Sequence, residues 1–244
     1  MQGLILAAGM GTRLGQYTND IPKVMVEVND RPLIFYALER LYEQGVRETI
    51  IVVGYMKEYI MEKCGDSYKD MNLVYVENDR YATANNVYSF FLAAKHIREE
   101  LLLVEGDLLF SKELLDKTLC EKHDCNIAVS RYNPETMNGT VIIAKDDMAK
   151  ELVIKRKQYE GFDYLEAWKT VNIYYFGKRF IYKFLKTLGV YVETGNLNNY
   201  YELVLGSLIY YGDDDIRIAP VGEELWFEID DETDLEIARA HGGF

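Results

Sequence analysis

The stretch from Leu6 to Leu14, LAAGMGTRL, decides the fold of this chain, and it follows directly on a short apolar run that begins at Gly3. We interpret the apolar run as a buried strand and the small residues after it as a nearly bare loop. Such a loop lets main-chain N–H groups approach an anion closely. Arg13 adds a forked cation and Lys23, after Pro22, adds a second one, and both suit phosphate oxygens. The stretch therefore predicts a triphosphate site at the end of the first strand.

The glycine spacing in this loop is weak evidence when it is taken alone. A glycine-rich turn after a strand often serves only as a tight connection to a helix. No Gly-Lys-Ser/Thr sequence follows, so the loop is not a Walker loop, and it lacks the third glycine of the dinucleotide-binding fingerprint. Arg13 and Lys23 favour an anion-binding loop over a purely structural turn.

The first half of the chain alternates short apolar runs with segments of helical spacing. The predicted strands lie at 24–28, 48–53, 72–76 and 101–104, and the predicted helices end near residues 45, 64 and 97. This rhythm indicates an α/β fold with a doubly wound, mixed and mostly parallel sheet. Ligands bind such sheets beyond the carboxyl ends of the strands, near the point where strand order reverses. The residues that follow predicted strand ends include Gly54, Glu77 and Asp107.

The second half of the chain has a different pattern and is richer in tyrosine. Its predicted strands lie at 126–129, 140–144, 151–157, 169–176, 216–219 and 225–228. Its predicted helices lie at 111–119, 178–188, 198–210 and 231–240. We expect a single domain over 1–244, with a nucleotide-binding half at 1–110 and an acceptor-binding half at 111–244.

Composition excludes several classes of partner. The 244 residues carry a formal net charge of -13, which argues against nucleic acid and against anionic membrane surfaces. Cys64, Cys120 and Cys125 are odd in number and lack metal-ligand spacing, so we read them as free thiols in a reducing compartment. No apolar run approaches the roughly 20 residues of a membrane span, and we expect a cytoplasmic protein.

Carboxylates end two of the predicted strands. Asp107 follows an apolar strand as Gly106-Asp107, and the segment Trp226 to Asp231, WFEIDD, ends a strand near the far end of the chain. The two-residue period of a strand puts Glu228 and Asp230 on one face. Turn or cap roles are the structural alternatives for Asp107, and a cap of the last helix is the more natural role for Asp231.

The chain offers no side-chain nucleophile and no poised general base. His96, His123 and His241 lie away from every strand-end motif, and no Ser-His or Cys-His arrangement is visible. Transfer of a phosphoryl-type group to an acceptor that is already anionic needs neither. Such a reaction needs alignment and the neutralisation of crowded negative charge. Lys23 would serve the α-phosphate and the acceptor, and Arg13 the β- and γ-phosphates.

Two stretches resemble a known superfamily. The run from Leu6 to Leu14 with Pro22-Lys23 resembles the signature loop of the nucleotidyltransferases that make NDP-activated compounds. The stretch from Asn78 to Ser89, NDRYATANNVYS, resembles the small cytidylyltransferases that act on phosphocholine and on aminoethylphosphonate and similar phosphonates. Sugar-1-phosphate nucleotidyltransferases usually carry a Gly-Thr-Ala-Gly-like loop here, which this chain lacks. The resemblance covers essentially the whole chain and implies a Rossmann-like nucleotidyltransferase fold.

The resemblance implies transfer of CMP from CTP and a Mg²⁺ ion held by Asp107 and Asp230. The expected catalytic set is Arg13, Lys23, Asp107 and Asp230. The expected nucleotide-binding residues are Leu6, Ala7, Ala8, Gly9, Met10, Gly11, Thr12, Arg13, Lys23, Gly54, Tyr55, Glu77, Ala84 and Asn85. The expected acceptor-binding residues are Asn86, Lys169, Asn172, Glu202, Trp226 and Glu228.

The acceptor stays open at this point. Trp226 could stack on a choline as readily as Glu202 could pair with a primary amine, so phosphocholine and aminoethylphosphonate both remain. A sugar-1-phosphate nucleotidyltransferase is the second alternative, and a non-catalytic, nucleotide-sensing relative is the third. The sequence also leaves open a homodimer and a place as one domain of a longer fusion.

Overall fold

The computed structural model describes residues 1–135, 137–222 and 225–241. The strands of this part of the chain are β1 (Gln2–Ala7), β2 (Glu27–Val28), β3 (Arg31–Pro32), β4 (Glu48–Val53), β5 (Ser67–Tyr68), β6 (Met71–Glu77), β7 (Leu101–Glu105), β8 (Leu108–Phe110), β9 (Cys125–Arg131), β10 (Val141–Lys145), β11 (Met148–Val153), β12 (Ala167–Phe176), β13 (Ile216–Pro220) and β14 (Trp226–Glu228). The α-helices are α1 (Leu33–Glu43), α2 (Lys57–Cys64), α3 (Asn86–Ala93), α4 (Lys112–Thr118), α5 (Lys178–Glu193), α6 (Glu202–Tyr211) and α7 (Glu232–His241). Short 3₁₀ segments cover Thr12–Thr18, Lys23–Met25, Ala94–His96 and Lys155–Lys157.

Ten strands form one mixed sheet in the order β10-β11-β13-β9-β12-β7-β1-β4-β6-β5. The neighbours β7, β1, β4 and β6 are parallel, and β1 lies between β7 and β4. The chain proceeds from β1 outward to β4 and β6 and then returns to the other side of β1 to form β7. Strand order therefore reverses beside β1, and the crevice at the carboxyl ends of β1 and β7 is the expected ligand position.

Strand β12 joins the second half of the chain to this parallel core. It pairs antiparallel with β7 and with β9, while β9 and β13 are parallel to each other. A separate two-stranded sheet pairs β14 with β8, with Glu228 opposite Leu108. This small sheet brings the acidic end of β14 next to the loop that follows β7.

Helices cover both faces of the main sheet, as the alternation of apolar residues along the strands requires. Ile5 in β1 packs in a core cluster with residues of α1, α2 and α4. Leu4 points the other way and shares a cluster with residues of α3, α5 and α6. The predicted doubly wound α/β architecture is therefore confirmed.

Two predicted strands are wrong in detail. Residues 24–28 do not form one strand, because Lys23–Met25 is a 3₁₀ turn and only Glu27–Val28 pair with β3. Val24 and Val26 are buried in different clusters, as in a tight turn rather than a strand. The strand predicted at 151–157 ends at Val153, because the Gln158 side chain donates a hydrogen bond to the Val153 carbonyl oxygen at 3.1 Å.

The helix predicted at 198–210 begins only at Glu202. The segment before it bonds to the start of α3 instead, since Asn85 N donates to Leu197 O at 2.9 Å and Tyr201 N donates to Asn86 Oδ1 at 3.1 Å. None of the helices within the described residues is long and apolar enough to cross a membrane.

Candidate active site

Gly11 sets the path of the loop after β1. Its φ is 66°, a left-handed conformation that suits glycine, and a Cβ there would lie 2.7 Å from Lys23 Cβ. The Gly11 carbonyl oxygen accepts hydrogen bonds from Leu14 N and from Thr18 Oγ1, each at 3.0 Å. The absence of a side chain thus lets the loop close directly over Lys23.

Lys23 joins two carboxylates that come from distant parts of the chain. Its Nζ atom lies 2.7 Å from Asp107 Oδ2 and 3.0 Å from Asp230 Oδ1. Arg13 binds Asp230 with both terminal nitrogens, at 2.7 and 3.0 Å, in the bidentate geometry that guanidinium favours. The structure therefore brings all four predicted catalytic residues together.

The backbone explains how the two acids meet. Gly106 N donates to Leu6 O at 3.2 Å, and a Cβ on Gly106 would lie 2.6 Å from Val24 Cγ1, so a bare residue is needed there. Ile229 N donates to Asp107 O at 3.0 Å. That bond continues the pairing of β14 with β8 and fixes Asp230 beside Asp107.

Lys23 and Asp230 stabilise each other's charged form. Burial by itself would lower the pKa of Lys23, but the Asp107 and Asp230 carboxylates outweigh it and hold that pKa above its ordinary value. Burial would likewise raise the pKa of Asp230, whereas Lys23 and Arg13 keep it below its usual range. Lys23 and Asp230 are therefore both charged at neutral pH.

Two connected clefts open on this ion-pair cluster. The first cleft has a volume of about 410 Å³ and the second about 730 Å³. Arg13, Asp107 and Asp230 line both, so the cluster stands where the clefts meet. The predicted nucleotide-binding residues that line the first cleft are Leu6, Ala8, Gly9, Gly11, Thr12, Arg13, Lys23, Ala84 and Asn85.

Five predicted nucleotide-binding residues do not line the first cleft. Ala7 is buried in the sheet, and Met10 is partly exposed outside the lining. Tyr55 N donates to Ala8 O at 3.2 Å, and a Cβ on Gly54 would lie 2.9 Å from that same oxygen, so this pair braces the loop from behind. Glu77 pairs with Lys57 on the surface.

Five of the six predicted acceptor-binding residues line the second cleft: Asn86, Lys169, Asn172, Glu202 and Glu228. Trp226 does not line it. The indole is 7% exposed, belongs to the core cluster and lies beneath Lys169, whose Nζ is 5.7 Å from the ring centroid. Trp226 lines a neighbouring cleft instead, together with Arg13, Lys169, Glu228 and Asp230, so its predicted role at the acceptor stays a prediction.

A bulge in β12 shapes the wall of the second cleft. The pairing of β12 with β9 shifts register between Thr170 and Tyr174, and Asn172 within that interval has a φ of 60°. Asn172 Nδ2 donates to Glu228 Oε1 at 2.9 Å, and Lys169 Nζ lies 3.1 Å from Glu228 Oε2. Bulges often re-aim side chains in this way beside functional sites.

Glu105 is a cleft residue to which the sequence analysis gave no role. It is the last residue of β7, and its Oε1 accepts hydrogen bonds from Tyr201 OH at 2.9 Å and Asn86 Nδ2 at 3.3 Å. Burial, together with the nearby acids Asp107, Glu202 and Glu228, raises its pKa well above the ordinary value. The signal available in the sequence was a charged residue at the end of an otherwise apolar strand.

Asp107 carries an open ligand position. Its Oδ1 atom is buried and has no hydrogen-bond partner, although Oδ2 binds Lys23. Within the described residues, no group of three or more His, Cys, Asp or Glu is arranged to hold a metal ion by itself. A metal at this position would therefore need ligand oxygens from a substrate in addition to the Asp107 and Asp230 carboxylates.

Comparison with known proteins agrees with this architecture. The MobA-like NTP transferase domain family matches residues 3–170. CMP-5'-(3-aminopropyl)phosphonate synthase from Streptomyces rubellomurinus is 31% identical over 237 residues, 96% of this chain but only 37% of the synthase. Choline-phosphate cytidylyltransferase from Streptococcus pneumoniae is 30% identical over 224 residues, 83% of this chain and 93% of that enzyme.

A solved structure supports the same conclusion for the fold. The CTP:phosphocholine cytidylyltransferase of Streptococcus pneumoniae superposes with a TM-score of 0.77 at 24% identity, covering 98% of this chain and 97% of that one. The domain match, the relatives and the crevice beside β1 agree, and the chain belongs to the MobA-like NTP transferase family of nucleotidyltransferases.

Proposed function

We propose that this protein is a cytidylyltransferase that transfers CMP from CTP to a small phosphorylated or phosphonate acceptor and releases pyrophosphate. The observation that carries the proposal is the position of Lys23, which pairs with Asp107 and Asp230 where the two clefts meet. Lys23 lines the first cleft, and its partners Asp107 and Asp230 line both, so this cation lies beside the nucleotide and next to the acceptor cleft. The two relatives named above act at a phosphocholine or an aminoalkylphosphonate, which fits the choice of acceptor class.

The first cleft suits the triphosphate. Small residues of the loop, such as Gly9, leave its main-chain N–H groups accessible to phosphate oxygens. Arg13 stands at the cleft with its side chain 65% exposed, so it can exchange Asp230 for phosphate oxygens at little cost. Lys23 is mostly buried, 12% exposed, and provides a fixed positive charge near the reacting phosphorus.

The second cleft holds the acceptor, and the reaction needs no proton abstraction. The acceptor's phosphate or phosphonate oxyanion attacks the α-phosphorus of CTP, and a new P–O bond forms. The bond from that phosphorus to the leaving pyrophosphate breaks, and pyrophosphate departs with the electron pair. Lys23 offsets the negative charge that gathers as the two anions meet, which is the main barrier to such a reaction.

A magnesium ion fits the residues that are present. The partnerless Asp107 Oδ1 and the Asp230 carboxylate are hard oxygen donors, and substrate phosphate oxygens complete the set that Mg²⁺ prefers. When bound, Mg²⁺ would supply a Lewis acid for the phosphate oxygens.

Pyrophosphate release tests the proposal directly. The purified chain is given CTP, UTP, GTP or ATP with Mg²⁺ and one of three acceptors: phosphocholine, 2-aminoethylphosphonate or glucose-1-phosphate. We expect release with CTP and one of the first two acceptors. Release with glucose-1-phosphate would instead identify a sugar-1-phosphate nucleotidyltransferase. Silence with every pair, although the protein binds nucleotide, would identify a non-catalytic nucleotide-binding relative.

A further inference from the structure

The second cleft contains a buried carboxylate oxygen without a partner. Glu202 is the first residue of α6, is only 5% exposed and lines the cleft. Its Oε1 accepts a hydrogen bond from Thr140 Oγ1 at 3.3 Å, whereas Oε2 is buried and receives none. A buried acceptor atom left unpaired is unfavourable by about 1–3 kcal/mol, and more when it is charged. The site is therefore incomplete until a donor enters the cleft.

Two other acids of the cleft, Glu105 and Glu228, already accept hydrogen bonds from the protein. Glu105 accepts hydrogen bonds from Tyr201 OH and Asn86 Nδ2. Glu228 accepts hydrogen bonds from Asn172 Nδ2 and Lys169 Nζ. Lys169 gives a further hydrogen bond to Thr170 O at 2.7 Å. Asp107 Oδ1 is also unpaired, but it lies beside Lys23 and belongs to the metal position proposed above. Glu202 Oε2 is therefore the unpaired carboxylate oxygen that is left for the acceptor.

The Glu202 carboxyl group is suited to a cationic hydrogen-bond donor, although Arg13, Lys155, Arg156 and Lys169 also line the cleft. Burial raises its pKa to about 7, against smaller opposing effects of its own main-chain N–H, Thr140, Lys169 and Asn86. Glu202 in turn raises the pKa of Glu105, which shows that the acids of the cleft repel one another. A positive group beside Oε2 would provide the missing hydrogen-bond donor and relieve that repulsion in one step.

We infer that the second cleft recognises the ammonium group of the acceptor through Glu202, and that this ammonium carries N–H bonds, as a primary amine does. The inference rests on the proposed function and names the acceptor class at the same site. A metal ion is a poorer occupant, because no group of three or more His, Cys, Asp or Glu in the described ranges is placed to hold one.

The walls of the cleft separate a primary from a quaternary ammonium. A quaternary ammonium has no N–H to donate and binds best to open aromatic faces. Of the described residues that line the second cleft, Tyr200 alone is aromatic, while the walls supply oxygen acceptors from Thr140, Asn138 and Asn198. The ring of Trp226 is buried under Lys169. The cleft is thus equipped for hydrogen bonds rather than for stacking.

Three acceptors that share a phosphonoethyl group test the inference with the full chain, CTP and Mg²⁺, and the first and third of them match in size. They are 2-aminoethylphosphonate, its N,N,N-trimethyl derivative and n-propylphosphonate, in which a methyl group replaces the ammonium. We expect kcat/KM for the amine to exceed that for n-propylphosphonate by about 10- to 100-fold, as a hydrogen bond between charged groups predicts. The kcat/KM for the trimethyl derivative should be closer to that for n-propylphosphonate than to that for the amine.

In the variant Glu202→Gln, the kcat/KM values for the amine and for n-propylphosphonate should differ by no more than about 3-fold, chiefly because KM for the amine rises. Glu193→Gln, at the exposed end of α5, is the matched control and should keep the wild-type ratio. If Glu202→Gln does not fold, the wild-type comparison of the three acceptors decides by itself.

Two results would overturn the inference while leaving the proposed function standing. One is equal use of the amine and n-propylphosphonate, or of the amine and the trimethyl derivative, by the wild-type protein. The other is an unchanged preference for the amine in folded Glu202→Gln. Absence of pyrophosphate release with all three acceptors and with phosphocholine would reject the proposed function and the inference together.

Discussion

The Lys23 ammonium lies 2.7 Å from the Asp107 carboxylate, although the two residues are 84 positions apart. The second oxygen of Asp107 is buried and has no hydrogen-bond partner, so this pair holds the cation in place and leaves one carboxylate oxygen able to bind a ligand. Four predictions follow from this cluster and from the residues that shape it.

Replacement of Lys23 by alanine should reduce turnover far more than nucleotide affinity. The fixed charge acts where negative charge gathers in the transition state, so kcat should fall by about 100- to 1,000-fold. The dissociation constant for CTP, measured by calorimetry, should rise less than about 10-fold because Arg13 and the loop remain. Lys57→Ala, which removes a surface cation paired with Glu77, is the control. A parallel loss of binding and rate would contradict the role given to Lys23.

Replacement of Asp107 by asparagine should abolish the response to Mg²⁺. The amide keeps the size of the side chain but removes the charge and one of the oxygens that a hard cation requires. Activity at saturating CTP should fall by about 100-fold or more and should no longer rise along a Mg²⁺ titration. Asp116→Asn, an exposed carboxylate paired with Lys112, should titrate like the wild type. An unchanged Mg²⁺ midpoint in Asp107→Asn would assign the metal to other residues.

Gly11→Ala separates backbone strain from a clash with Lys23. Gly11 and Gly45 both have positive φ, 66° and 78°, but a Cβ on Gly11 meets Lys23 Cβ at 2.7 Å whereas one on Gly45 meets nothing within 4 Å. Both alanine variants should lose about 1–2 kcal/mol of unfolding free energy in urea. Only Gly11→Ala should also lose activity, by about 10-fold or more, since it displaces the cation. Equal activity in the two variants would show that the contact is unimportant.

Glu202 should make the stability of the protein fall as pH rises. Burial raises its pKa from 4.5 to about 7, so the folded chain binds more protons than the unfolded chain between these values. The contribution of this group is therefore most favourable below about pH 4.5 and is lost as pH rises through about 7, by at most ~1.4 kcal/mol per pH unit.

Glu202→Gln removes that titration and provides the comparison. The unfolding free energy of the wild type minus that of the variant should decrease steadily from pH 4.5 to pH 7 in urea titrations. Glu193→Gln, on the surface, should give a difference that does not depend on pH. A wild-type advantage that grew with pH would mean that Glu202 is ionised and paired in the folded chain.

The parallel core and the phosphate loop could be predicted from the sequence because their signals are local. Buried parallel strands read as continuous apolar runs, and β4 and β7 were predicted within one residue of their ends. The approach of the β1 loop to Asp107 also follows, since β1 and β7 are parallel and end at one edge of the sheet. Asp230 reaches them through the separate pairing of β14 with β8, which the sequence does not reveal. These features follow from the spacing of apolar residues and the positions of glycines, and both can be read directly from the sequence.

The walls of the second cleft could not be predicted, because distant contacts decide them. The late start of α6 reflects bonds from residues 197–201 to the beginning of α3, and no local pattern reveals such bonds. Trp226 was assigned to the acceptor because aromatic rings bind cations, yet its place opposite Phe110 in β8 buries it in the core. The sequence assigns no role to Glu105, because a carboxylate at a strand end has the same sequence pattern as an ordinary solvent-exposed residue.

The bidentate contact between Arg13 and Asp230 spans 217 positions of the polypeptide. The ribosome must therefore synthesise almost all of the chain before this ion pair can form. The early strands can pair while synthesis continues, but Arg13 cannot bind Asp230 until β14 has been synthesised. A premature stop codon between the loop and β14 would therefore give a chain that contains Arg13 but lacks Asp230.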